Sequence, residues 1–96
     1  MITDQELKRF EELDKRIKNL GAKILKTEED LDMLRKNRDV GRTMLAAYPN
    51  DWCAKGLLEE TEAEIKVKCF YLVDARKEYD DGIIRLADFM RRLESE

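Results

Sequence analysis

The chain has 96 residues, with 19 basic and 22 acidic side chains and a net charge of −3, a length that suits one domain. The near balance of signs argues against a dedicated nucleic-acid binder, which would carry an excess of Lys and Arg. Four glycines and one proline are too few for the turns of a β-sandwich or barrel. The predominance of Glu, Lys, Arg, Asp, Leu and Ala is that of long or coiled helices.

The first predicted element is a helix over about residues 3–47. Thr3-Asp4-Gln5-Glu6 has the spacing of a capping box, in which the Thr hydroxyl accepts an early backbone N–H and the Glu reaches back. Phe10, Leu13, Ile17, Leu20, Ile24, Leu31 and Leu34 follow in steps of three and four, with one skip at Thr27. This is a heptad-like seam. Glu11 with Lys15 and Glu12 with Arg16 stand in the favoured i, i+4 order for intrahelical ion pairs. Gly21 weakens the helix, but the seam passes through it in register, so continuation is expected. Arg35, Lys36, Arg38 and Arg42 form the most basic stretch, a candidate patch for phosphate or for an acidic partner.

The turn is predicted at 48–51. Pro49 disfavours helical geometry at Tyr48 and so ends the first helix, and Asn50 or Asp51 can cap the next. A second helix is predicted over about 51–93. Leu58, Ile65, Leu72, Tyr79, Leu86 and Leu93 recur every seventh residue, with Thr61, Cys69, Ala75, Ile83 and Met90 at the intermediate places. Ile65–Val73 is rich in strand formers, but no second such segment exists to pair its backbone, so it too is read as helix. The predicted fold is an all-α antiparallel two-helix hairpin, coiled-coil-like, forming one domain over 1–96. It can dimerise into a four-helix bundle.

Such a pair buries one stripe per helix. Val67, Phe70, Val73 and Ile84 lie off the second seam, and Phe70 points away from Leu72. These residues predict a surface covered by a second copy or by another protein. Trp52, directly after the turn, is either a lid over Leu57 or Met44 or an anchor for a partner.

No catalytic residue, cofactor site or metal site is predicted. Histidine is absent, which removes the usual general base and metal ligand. Cys53 and Cys69, about 24 Å apart on one helix, cannot bridge each other. The acidic clusters Glu28–Asp30, Glu59-Glu60 and Asp80-Asp81 read as solvated faces. No apolar run is long enough for a membrane span, and the first residues lack the pattern of a secretory signal. A cytoplasmic location is expected, with export by a signal-less route left open.

Trp52-Cys53-Ala54 near the hairpin turn resembles the small Trp-x-Gly helical hairpins exported by type VII secretion, with Ala where that family has Gly. Phe70-Tyr71-Leu72-Val73-Asp74 is similar to the Phe-x-x-x-Asp pattern of helical partner proteins that bind toxin leader domains for that system. The resemblance implies a targeting partner or chaperone that uses Trp52, Phe70 and Asp74. The expected function is therefore a non-enzymatic interaction module, an adaptor, chaperone or targeting partner packing its helices on a larger helical protein. Two alternatives are a self-assembling four-helix-bundle dimer and a small phage or mobile-element inhibitor acting through its acidic second helix.

Overall fold

The structure, a computed structural model, describes residues 2–95. It contains two helices, α1 (Asp4–Ala47) and α2 (Trp52–Glu94), and no strand among the described residues. The protein is an antiparallel helical hairpin. Ile65–Val73 is helical throughout. The helix bounds fall within one residue of those expected from the caps.

Those caps have definite geometry. Thr3 Oγ1 accepts the Glu6 backbone N–H at 3.1 Å. Glu6 does not complete the box: its carboxylate accepts from Arg92 at 2.8 Å. At the turn, the Tyr48 N–H still donates to the Met44 carbonyl, and Pro49 stops the helix there. Asp51, not Asn50, caps α2, its Oδ1 accepting the Ala54 N–H at 3.1 Å. Loss of an N-cap costs about 1 kcal/mol. Asp51→Ala should therefore lower the urea midpoint, and Asn50→Ala should leave it nearly unchanged.

Contacts between the arms group into two compact units. One joins the chain up to Leu25 with the chain from Asp74 onward; the other is Lys26–Val73. In the first unit Ile17, Ile24, Ala75 and Gly82 are buried. Phe10 stacks on Phe89 with centroids 4.5 Å apart, and the Arg92 guanidinium lies 6.0 Å from the Phe89 centroid. Arg16 reaches across to Glu78 at 2.7 Å rather than along its own helix to Glu12. Helix α1 runs unbroken through Gly21, as expected, and a Cβ there would sit 3.1 Å from the Tyr79 ring.

In this unit the α2 seam differs from the one expected. Ile83, Met90 and Leu93 are exposed, and Gly82 and Phe89 take the inward places. The reason is the stepping. Three residues on from Tyr79 is Gly82, and three on from Leu86 is Phe89, so regular heptads bring these two inward. Glycine carries no hydrophobic signal, which is why its neighbour Ile83 looks like the seam residue in the sequence. Gly82 marks a close approach of the two helices, since a Cβ there would overlap the Ile17 side chain.

In the second unit Leu31, Ala54, Ile65 and Leu72 are buried. Leu58 packs beside Gly41, where a Cβ would lie 3.5 Å from its Cδ1. Arg42 pairs with Glu62 at 3.2 Å and Lys68 with Asp30 at 3.9 Å. Exposed pairs of this kind contribute roughly 0–1 kcal/mol each. Their value lies in setting the register of one arm on the other. Thr27, the skip in the first seam, is half-buried. So is Arg38, at the same heptad position as Leu31 and Ile24. A polar residue at such a place specifies register at a cost in stability.

Candidate functional site

The apolar residues outside the seam are the feature that the hairpin does not use. In the Lys26–Val73 unit, Val67, Phe70 and Val73 are 67%, 74% and 66% exposed. At 3.6 residues per turn, steps of three place them side by side on the outer face of α2, away from Leu72, which is 3% exposed. Covering a Val or Phe side chain completely is worth roughly 1.5–3 kcal/mol. Together the three form an exposed apolar row on this face.

The turn end of the same unit carries a second apolar surface. An open groove is lined by Val40, Met44, Cys53 and Leu57 over a floor of Ala54 and Leu58. Val40, Met44 and Leu57 are largely exposed. The sequence reading missed this groove. Its signal was the 40/44 spacing on α1 facing 53/57 on α2, two i, i+4 pairs just outside the seams. Trp52 is 80% exposed, so it does not form a lid over Leu57 or Met44. As the first residue of α2 it stands about 22 Å along the helix from Val67, fifteen residues on.

The unit formed by the two ends of the chain holds Asp74 and Ile84. Ile84 is exposed. Asp74 borders a charged groove with Arg16, Lys77, Glu78, Asp81 and Arg85. The candidate residues thus separate into the Val67–Phe70–Val73 cluster, Trp52 at the start of α2, and Asp74 and Ile84 in the other unit.

The basic stretch is divided among different surroundings. Arg42 is paired with Glu62 across the hairpin, Arg35 lies 3.9 Å from Asp32, and Arg38 is half-buried in the seam with Asp39 at 3.8 Å. Lys36 is exposed. Cys53 is exposed and Cys69 half-buried, both as free thiols. Among the described residues, no three His, Cys, Asp or Glu side chains come together in a way that could hold a metal. No helix among them is long and apolar enough to cross a membrane.

No family model, curated protein or solved structure matches this chain.

Proposed function

We propose that this chain is a non-enzymatic interaction module, an adaptor or chaperone that brings helices of different polypeptides together. Its α2 outer face is the docking surface, and the turn end is a second contact. The observation that carries the reading is the exposed row of Val67, Phe70 and Val73, three large apolar side chains on one face that their own chain leaves mostly in water. The exposed Trp52, next in sequence to Cys53 of the apolar groove, supports the turn end as the second contact, because Trp anchors are over-represented among residues that dominate binding energy. In the targeting-partner form of this reading, suggested by the resemblance to type VII secretion hairpins, the groove and Trp52 would take a helix of a larger secreted protein.

Phe70→Asp is the direct test. A charge in the centre of the patch should abolish association through this face, read as self-association by light scattering or as recovery of a partner co-purified with the tagged chain. Helicity should be unchanged, because Phe70 is outside the seam. If the substitution alters neither association nor capture, the reading is wrong.

A further inference from the structure

Resting on the reading of the α2 outer face as a docking surface, we infer that its occupant is the same face of a second copy. The two helices pack antiparallel about a two-fold axis at Ala63, with Phe70 of each copy seated over Gly56 of the other.

One glycine of α2 is not explained by the hairpin. Gly21, Gly41 and Gly82 each stand where a Cβ would meet a side chain of the other helix. Gly56 faces open space, with nothing within 4 Å of a Cβ built there. Glycine is a poor helix former, and neither a cap nor a positive φ requires it here. Gly56, Ala63 and Phe70 lie on one outer line of α2 at seven-residue intervals, about 10 Å apart along the axis. The order is absent, small and large side chain. Turned end for end about Ala63, the line becomes its own complement. Ala63 meets Ala63, and each ring falls where the opposite helix has no side chain, the close approach that glycine permits.

The charges flanking the line independently favour the same axis. A two-fold at Ala63 keeps each flank of the line on its own side and sets residues whose numbers sum to about 126 at one height, so Glu59 of one copy faces Lys66 of the other, on the same flank, twice in the dimer. Among the described residues, Lys66, Glu59 and Glu60 have no ion-pair partner in their own chain, unlike Arg42 and Lys68, which pair across the hairpin. Lys66 and Glu59 are therefore free to pair between copies. An isologous contact of this kind closes on itself and ends at two chains. It leaves the turn-end groove and Trp52 open for a different protein.

The test combines register with charge. In a chain carrying Cys53→Ser and Cys69→Ala, Ala63→Cys should form a disulfide dimer under mild oxidation. Gly56→Cys and Phe70→Cys should not, since the axis holds each far from its own copy. In the otherwise native chain, Gly56→Leu should raise helicity yet weaken the dimer at least about tenfold by filling the slot. Glu59→Lys and Lys66→Glu should each weaken it about tenfold, and the double exchange should restore it. A dimer that cross-links through position 56 or 70 instead, or that tolerates Gly56→Leu, overturns the proposal. A monomer by light scattering at the highest soluble concentration also overturns it. In that case, loss of a captured partner in Phe70→Asp would show that the interaction-module reading still stands. If Phe70→Asp changes nothing either, both fall.

Discussion

Gly82→Val is expected to destabilise the hairpin by about 2–3 kcal/mol, a large part of the stability available to a chain of this size. The site is buried, and even a single added carbon would overlap Ile17 at its Cδ1 and Cγ1. Ile17 is itself 4% exposed, so its side chain has little space into which to turn, and the helices must separate or a rotamer must strain. Valine also brings a second branch and a stiff χ1. Helix propensity opposes this, since any residue but proline improves on glycine, by up to about 1 kcal/mol for alanine. That gain is smaller than the clash for Val and comparable to it for Ala. Urea unfolding followed by circular dichroism measures the difference. Ile17→Val removes Cδ1, so the double variant Ile17→Val, Gly82→Val should lose less than the two single losses added together. Strict additivity would mean that the two positions do not meet.

Leu72→Ala should cost about 2–4 kcal/mol, whereas Phe70→Ala, two residues away and larger, should cost less than about 0.5 kcal/mol in dilute solution. Leu72 is among the most buried side chains of its unit, and truncation both returns apolar surface to water and leaves a void. Phe70 keeps most of its surface in water in the folded chain, so little is lost when its ring is removed. The same urea titration compares the two. Equal losses would show that Phe70 is packed within its own chain, and would remove the basis for a docking face there. Raising the protein concentration should increase the cost of Phe70→Ala alone, because only association buries that ring.

Much of the fold was legible in the sequence because its signals are local and periodic. A proline at the midpoint, a threonine at the start and an aspartate after the turn place the helix ends through hydrogen bonds spanning three or four residues. Seven-residue spacing then selects the face of each helix that turns inward. The outward position of Phe70, Val67 and Val73 follows from the same arithmetic, which is why the docking candidates could be named without coordinates. The errors fell where the seam is carried by something other than an apolar side chain. Gly82 is an inward position with no hydrophobic signature, and once it is missed, Ile83 and Met90 are taken for Gly82 and Phe89. Arg16 and Glu6 were assigned to local partners and found distant ones, Glu78 and Arg92, because an i, i+4 rule cannot see the facing helix. The groove at Val40, Met44, Cys53 and Leu57 needs both arms together before it exists.

Composition and periodicity by themselves determined that the chain is a helical hairpin, where it turns, and, outside the Gly82 and Phe89 positions, which side of each helix faces its mate. These follow from backbone hydrogen bonding and the burial of one stripe, both of which act along a single helix. The tertiary structure decided which atoms meet within each unit: Gly82 against Ile17, Arg42 on Glu62, Phe10 on Phe89. It also decided that Gly56 has no neighbour. Those facts depend on the register of one arm against the other, set by side chains distant in sequence, and the function proposed for the outer face of α2 rests on what that register leaves uncovered.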